Sequence, residues 1–246
     1  MSARFAELAY DETPIGPISL RRRVDPALQV EVYEVKVGDE FLMSSLFTVA
    51  EIELARLGLA ALDGTDLQVV VGGLGLGYTA RAVLADDRVG ASLVVEALAE
   101  VIRWHEQELL PFAAELTADP RSRLVHGDFF AMARGADGFD PRQPGRRLDA
   151  VLLDVDHSPR HVLHPGNAAL YTTDGMRALA AHLRPGGVFA LWSNDPPDDD
   201  FTAVLRDVFT DVSAHVVRFP NPLQGGESAN TVYVALTPGA EAASAR

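Results

Sequence analysis

Apolar and polar residues alternate along Val30–Val37, which is the period-two pattern of a β-strand with one face toward solvent. Before this strand, Ile18–Leu20 is short and extended and follows turn residues that include Pro14 and Pro17. Together the two segments predict a small antiparallel β-appendage over residues 1–48.

A helical pattern begins after Thr48. Its apolar contacts are Ile52, Leu54, Leu57, Leu59 and Leu62. Glu51 follows Thr48 by three residues, which is the spacing of a capping box, and Asp63-Gly64 ends the pattern. The sequence therefore predicts an amphipathic helix that Thr48 and Glu51 cap at its N-terminus.

From residue 67 onward, strand-like and helix-like segments alternate, which is typical of βαβ units on a parallel sheet. The predicted strands are Gln68–Gly72, Ser92–Val95, Arg123–Val125, Asp149–Leu153, Val188–Trp192, Ala214–Phe219 and Thr231–Leu236. The predicted helices are Tyr78–Ala85, Leu98–Leu109, Thr173–Leu183 and Asp200–Val208. Arg184–Gly187 is expected to close the third of these helices, and the last two strands are expected to form an antiparallel hairpin. The prediction is a doubly wound, seven-stranded, mostly parallel α/β sheet over residues 49–237, followed by a flexible tail over 238–246.

The composition favours one large core and argues against several classes of partner. The chain has 246 residues, of which 48% are hydrophobic, and it contains no cysteine. Its apolar stretches fall short of the roughly 18–20 residues that span a bilayer. The formal net charge of −14 argues against nucleic acid, since phosphate binding needs clustered Lys and Arg. We expect a cytoplasmic protein without a membrane or nucleic-acid partner.

The clearest chemical signal is the run Leu67–Thr79, LQVVVGGLGLGYT, in which a strand leads into glycines and then into a helix. Such a turn lets a ligand approach the backbone at a helix N-terminus. Three acidic residues follow the next strands, namely Glu96, Asp128 and Asp154. Because ligands of open parallel sheets bind beyond the carboxyl ends of the strands, this series predicts a nucleoside site.

Each acid also has a simpler interpretation as a helix cap. A nicotinamide cofactor would use the same glycine turn and the same ribose carboxylate. Against it, GGLGLG does not keep the usual glycine spacing, and Asp128 would have no role. We therefore favour an S-adenosyl group over a nicotinamide.

Taken together, GGLGLG, Glu96, Gly127-Asp128, Asp154 and the segment Leu183–Gly187 (LRPGG) resemble a class I S-adenosylmethionine-dependent transferase, and within that class the spermidine synthase-like family. The resemblance covers roughly residues 10–236. It implies a class I methyltransferase-like fold with a small N-terminal β-domain.

The resemblance also implies roles for individual residues. Glu96 would bind the ribose and Asp128 the adenine. The turn glycines Gly73, Gly75 and Gly77 would approach the methionine part of the ligand. Asp154 falls where the family places the catalytic aspartate that receives the substrate amine.

Three departures from the family pattern bear on the reaction. The family's GGGDGG turn carries an aspartate where this chain has Gly75. After the fourth strand, this chain has Asp154-Val-Asp156-His157-Ser-Pro159 where the family has Asp-Ser-Ser-Asp-Pro. Phe41–Leu46 replaces a tyrosine-histidine-glutamate cluster. A diamine site needs carboxylates for two ammonium groups, so these losses favour S-adenosylmethionine over its decarboxylated form.

These observations lead us to expect a methyltransferase for a small molecule, with Asp154 and His157 orienting the acceptor. The alternative is a polyamine aminopropyltransferase that uses decarboxylated S-adenosylmethionine, with Asp154 as the base and Asp156 binding a second amine. A further alternative is a degenerate nucleoside-binding protein without catalysis. The acceptor would be a small molecule such as an amine. We also expect a homodimer, since the edge of the β-appendage is free to pair.

The loop after the fourth strand contains three histidines, His157, His161 and His164. His157 could act as a general base because imidazole titrates near neutrality. The loop could also hold a divalent metal, or the histidines could simply cap and pack. Since the spacing matches no known ligand pattern, we predict no metal.

Overall fold

The structure is a computed structural model that describes residues 5–13 and 15–240. The N-terminal part is a four-stranded antiparallel sheet in the order β1-β2-β3-β4. Its strands are β1 Phe5–Thr13, β2 Gly16–Val24, β3 Glu31–Val37 and β4 Glu40–Ser44. The predicted appendage is confirmed, although the pattern analysis did not identify β1 or β4. Pro14, which was assigned to the turn, lies outside the described residues.

The rest of the chain forms a seven-stranded sheet covered by helices. Its strands are β5 Leu67–Gly72, β6 Val89–Glu96, β7 Ser122–His126, β8 Leu148–Leu153, β9 Leu183–Ser193, β10 Thr210–Asn221 and β11 Gly226–Leu236. Its helices are α1 Val49–Ala60, α2 Tyr78–Leu84, α3 Ala99–Glu106, α4 Ala113–Ala118, α5 Phe129–Arg134, α6 Thr173–Ala180 and α7 Asp199–Arg206. A 3-10 helix, Pro165–Tyr171, precedes α6.

The strand order is β10-β11-β9-β8-β5-β6-β7. The five strands from β9 to β7 are mutually parallel, while β11 runs antiparallel to both of its neighbours, β9 and β10. The doubly wound, mostly parallel α/β prediction is therefore confirmed, including the terminal hairpin.

Burial explains why β5 lies at the centre. All six of its residues are buried, as expected for a parallel strand covered on both faces. One core packs between the sheet and α1, α2 and α3, and a second packs against α5, α6 and α7. Side chains that alternate along a central strand therefore enter opposite cores, as do Leu152 and Leu153 of β8.

The helix boundaries differ from the predicted ones in two places. The segment predicted as one helix to Leu109 is divided into α3 and α4, with a residue in the left-handed region, Glu108, at the break. The helix predicted to reach Leu183 ends at Ala180, and LRPGG forms the start of β9. The capping box is absent, because Thr48 makes no side-chain hydrogen bond to the helix. Of the predicted tail, residues 241–246 lie outside the described part of the chain.

The N-terminal sheet is attached to the α/β part beside the glycine turn. Asp11 accepts hydrogen bonds from Arg103 at 2.6 Å and from Nε1 of Trp104 at 3.2 Å, both on α3. Across residues 5–13 and 15–240, no helix combines the length and apolar character needed to cross a membrane.

Candidate functional site

The order of the strands creates a crevice at the carboxyl ends of β5 and β8. From β5 the chain proceeds to β6 and β7 on one side, whereas β8 and β9 lie on the other. Ligands of doubly wound sheets bind at such a reversal. The two strand ends are joined by a hydrogen bond from the amide of Asp154 to the carbonyl of Gly72 at 2.8 Å. Sequence-predicted residues from both strands therefore meet at this crevice.

The glycine turn after β5 has the backbone shape that its composition predicts. Gly73, Gly75 and Gly77 have φ angles of +95°, +48° and +90°, which is the left-handed region that glycine adopts easily. A Cβ at Gly73 would lie 2.1 Å from the backbone oxygen of Asp154. Glycine is thus required here because two strand ends approach closely.

Gly75 lies beneath the N-terminal sheet. A Cβ at this position would be 2.9 Å from Sδ of Met43 on β4. Met43 therefore occupies the space that a side chain at position 75 would enter. The segment Phe41–Leu46, which we had regarded only as a lost family motif, covers the turn.

His105 of α3 supports the same turn from below and was not identified from the sequence. Its Nε2 lies 2.9 Å from the carbonyl oxygen of Gly75, which can only accept, so the ring donates from Nε2. The residue is fully buried, and burial lowers its pKa, so the ring is neutral. A histidine on the apolar face of a helix is the signal that points to such a buried role.

Glu96 ends β6 and contacts the glycine turn directly. Its Oε2 accepts the amide of Leu74 at 3.0 Å, and its Oε1 accepts the amide of Leu98 at 2.9 Å. Burial raises the pKa of Glu96, and these amide donors oppose that rise. The amides of Gly75 and Ala97 lower this pKa as well, so four backbone donors surround the carboxylate. Its contact with a ribose remains a prediction.

Asp128 follows β7 and is exposed. Its Oδ1 accepts the amides of Phe130 and Ala131 at 2.9 and 3.1 Å, so the residue caps α5. Both bonds fall on Oδ1. Asp128 therefore has the capping role that was the simpler interpretation. Its adenine contact remains a prediction.

A carboxylate pair lies at the end of β8. Thr79 of α2 donates from Oγ1 to Oδ2 of Asp154 at 2.7 Å, and the same hydroxyl oxygen lies 3.2 Å from the backbone oxygen of Glu51. Burial raises the pKa of Asp154 to about 6, against the lowering effect of Thr79. The pKa of Glu51 rises to about 8, first through burial and then through the nearby charge of Asp154.

Two half-buried carboxyls that repel each other form a site for a cation, since an ammonium group would stabilise both ionised forms. Glu51 was predicted only as a capping residue. The signal that could have identified it is its place on α1, because it shares a helix face with Leu54, Ala55 and Gly58. A carboxylate on a buried helix face needs a partner.

Asp156 does not reach this crevice as the sequence suggested. Its side chain is fully buried within its own loop. Oδ1 accepts the amide of Leu163 at 2.7 Å and Nδ2 of Asn167 at 2.9 Å, and Oδ2 accepts the hydroxyl of Tyr171 at 2.7 Å. Three donors occupy the carboxylate, so Asp156 organises the loop and does not fit the predicted contact with a substrate amine.

The three loop histidines have separate environments. His157 is exposed, and its backbone oxygen accepts the amide of Asn194 at 2.7 Å. His161 pairs through Nδ1 with Asp195 at 2.8 Å, and His164 caps the 3-10 helix. Within the described residues, no group of three or more His, Cys, Asp or Glu side chains could hold a metal ion. The general-base role of His157 remains a prediction.

Comparisons with known proteins show a likeness in sequence to one curated protein and a likeness in fold to solved structures. No family model matches the chain. Polyamine aminopropyltransferase 2 of Pseudomonas aeruginosa is 28% identical over 163 residues, which cover 62% of this chain and 42% of that relative. The match therefore spans less than half the length of the curated relative.

Solved structures extend the likeness to nearly the whole fold. Spermidine synthase from Thermotoga maritima superposes with a TM-score of 0.69 at 19% identity, over 94% of this chain and 72% of the other. A spermidine synthase in complex with the transition-state analogue AdoDATO gives the same TM-score and identity, over 94% and 73%. A probable spermidine synthase from Corynebacterium glutamicum gives 0.62 at 16%, over 93% and 79%.

The fold is that of the class I S-adenosylmethionine-dependent transferases. Within that class, the resemblance to the spermidine synthase-like family is confirmed. The expected preference for methyl transfer is wrong, because these relatives are named as polyamine aminopropyltransferases or spermidine synthases. That expectation rested on the absence of an aspartate at position 75. It did not take account of Glu51, whose carboxyl lies near Asp154.

Proposed function

We propose that this protein transfers an aminopropyl group from decarboxylated S-adenosylmethionine to a small amine. The observation that carries the proposal is the half-buried carboxylate pair of Asp154 and Glu51 beside the glycine turn. The relatives named as aminopropyl-transferring enzymes support the same reaction. Decarboxylated S-adenosylmethionine is here the donor substrate.

The chain's residues fit the donor. The left-handed glycine turn lies at the start of α2, and Glu96, whose carboxylate faces this turn, would bind the ribose. Asp128, at the end of β7, would meet the adenine. Met43 covers Gly75, so the donor's side chain would lie against a thioether in place of the family's aspartate.

The pair would prepare the acceptor. An alkyl amine is protonated at neutral pH and must lose a proton before it attacks. Glu51 and Asp154 would first bind the ammonium group, and Asp154, whose pKa burial raises to about 6, would then take its proton. The nitrogen lone pair then forms a bond to the propyl carbon next to sulfur. The carbon–sulfur bond breaks, its electron pair stays on sulfur, and 5′-methylthioadenosine leaves.

Positioning supplies much of the rate in such a displacement, because two reactants are held in line. Residues that fix the strand ends therefore matter as much as the proton acceptor. Asp156 contributes here as a positioning residue, since it anchors the loop that follows Asp154. The expected cytoplasmic location and homodimer remain predictions.

The test incubates the purified protein with decarboxylated S-adenosylmethionine and a panel of diamines, amino alcohols and alkyl amines. Mass spectrometry then measures 5′-methylthioadenosine and the aminopropylated amine. We expect both products in equal amounts, and their loss in Asp154→Asn. Asp137→Asn, at an exposed position in the loop that leads to β8, is the matched control and should keep full activity. Absence of aminopropylated product with every amine would overturn the proposal.

A further inference from the structure

Trp192 of β9 lies beside Asp154 at the same level of the sheet. β8 and β9 are parallel, with Leu153 opposite Leu191. One residue further along each strand come Asp154 and Trp192. Their backbones are thus neighbours across about 4.8 Å, the usual spacing between strands.

The side chains of these two residues share a face of the sheet. Leu152 and Ala190, two positions earlier, both belong to the core beneath α1. Successive side chains alternate between faces, so residues two apart lie on the same one. Trp192 itself packs against the α1-side core. Asp154 is on this face as well, because it contacts Thr79 of α2.

Helix α1 completes the enclosure. A Cβ at Gly58 would lie 2.7 Å from Cδ2 of Leu152 and 3.3 Å from Cβ of Ala190, so the helix rests on these strands at that level. Glu51 lies seven residues before Gly58, which is two turns along the same helix face. Glu51, Asp154 and Trp192 therefore lie on the same side of the sheet, near the carboxyl ends of β8 and β9.

The indole nitrogen of Trp192 is buried and has no hydrogen-bond partner among the described residues. An indole N–H can only donate, and a buried one usually has an acceptor. The second tryptophan shows the normal situation, because Nε1 of Trp104 donates to Asp11 at 3.2 Å. Trp192 thus carries a donor without a described partner, on the strand beside Asp154.

We propose that Trp192 selects the acceptor, and that this acceptor is a primary amine whose chain carries an uncharged oxygen, such as a hydroxyl or an amide carbonyl. An ammonium group has no lone pair to accept the indole N–H. A carboxylate would be repelled by Glu51 and Asp154. An uncharged oxygen meets both conditions. The inference rests on the proposed function, since it names the substrate class of that site.

The direct test observes the indole proton. Protein labelled with ¹⁵N at tryptophan gives two indole cross-peaks, because the chain has two tryptophans. With 5′-methylthioadenosine present, 4-amino-1-butanol should shift the Trp192 peak downfield and leave the Trp104 peak in place. Pentylamine, which has nearly the same length but no oxygen, should produce a much smaller shift. Equal shifts with both amines, or no shift with either, would overturn the proposal.

Kinetics with Trp192→Phe supply the second arm. The wild type should prefer the amino alcohol over pentylamine in kcat/KM by about tenfold, the value of one hydrogen bond. The variant should lose that preference, because its rate with the amino alcohol should fall much more than its rate with pentylamine, while an unchanged Trp104 peak reports an intact fold. An equal decrease of kcat/KM with both amines in the variant would contradict selection by Trp192. An indole shift without any aminopropyl product would instead count against the proposed function alone.

Discussion

Thr79 donates to Asp154 at 2.7 Å, and the same hydroxyl oxygen lies 3.2 Å from the carbonyl of Glu51. When Asp154 is ionised, it accepts the hydroxyl proton. When Asp154 is protonated, it can donate to Thr79, whose own proton then turns to the Glu51 carbonyl. The hydroxyl therefore satisfies both protonation states, so a proton can reach Asp154 without leaving a buried polar group unpaired.

Replacing this hydroxyl should change the pH dependence of the reaction. Thr79→Val removes the donor that lowers the pKa of Asp154, so that pKa should rise above about 6. The acid limb of the kcat/KM profile against pH should move to higher pH, which rate measurements between about pH 5 and 9 would detect. Thr79→Ser keeps the hydroxyl and should keep the profile. A Val profile that overlays the wild type would contradict this role.

The carboxylate pair should make the free protein less stable in alkali. The pKa of Glu51 is raised from 4.5 to about 8, so its contribution to stability is complete below about pH 4.5 and is lost as pH rises through 8. Glu51→Gln removes the ionisation. Its Tm should exceed that of the wild type at about pH 9, and the difference should vanish near pH 4. Glu106→Gln, at an exposed position, controls for the loss of one charge. A wild type that is more stable than Glu51→Gln at alkaline pH would refute the assignment.

Because Gly73 lies close to Asp154, a methyl group added at position 73 should lower the free energy of unfolding strongly. Gly145 also has a positive φ, +74°, but a Cβ there would meet nothing within 4 Å. Gly145→Ala should therefore cost only about 1 kcal/mol of unfolding free energy for its backbone conformation. Gly73→Ala should cost about 1–3 kcal/mol more, because its Cβ would lie 2.1 Å from a backbone oxygen. Equal losses in urea unfolding of the two variants would show that the strand ends are not in contact.

His105 should control nucleoside binding through the carbonyl of Gly75. His105→Phe removes the donor at Nε2, so the Kd for 5′-methylthioadenosine in calorimetry should rise about tenfold. His105→Gln can still donate from its amide and should recover much of the affinity. A glutamine variant as weak as the phenylalanine variant would leave His105 with a packing role only.

Much of the fold could be predicted because its signals are local. The alternation of Val30–Val37 and the buried run of β5 each indicate a strand without knowledge of the rest. The helix ends were not predicted correctly. α3 ends at Glu106 and α6 at Ala180, each before the end that the apolar pattern indicates. β1 escaped detection because its outward and inward residues differ little in polarity.

The site likewise contains residues that could be predicted from the sequence and residues that could not. The residues at strand ends were found because parallel topology brings carboxyl ends together. Glu51 and His105 were missed, since each acts from a helix face whose neighbours come from distant parts of the sequence. Asp156 was misassigned because proximity to Asp154 in sequence does not fix where a loop side chain points. The contact of Met43 with the glycine turn was not predicted, and its segment was noted only as the place where a family motif is absent. The position of Met43 over Gly75 depends on how the two sheets pack.

The central claim is that this site transfers an aminopropyl group and not a methyl group. The most direct measurement offers the protein S-adenosylmethionine and its decarboxylated form in one reaction at equal concentration, with 4-amino-1-butanol as the acceptor. Mass spectrometry then identifies the nucleoside that is released. We predict release of 5′-methylthioadenosine, in an amount equal to the aminopropylated amine and dependent on Asp154. Release of S-adenosylhomocysteine with a methylated amine would contradict it.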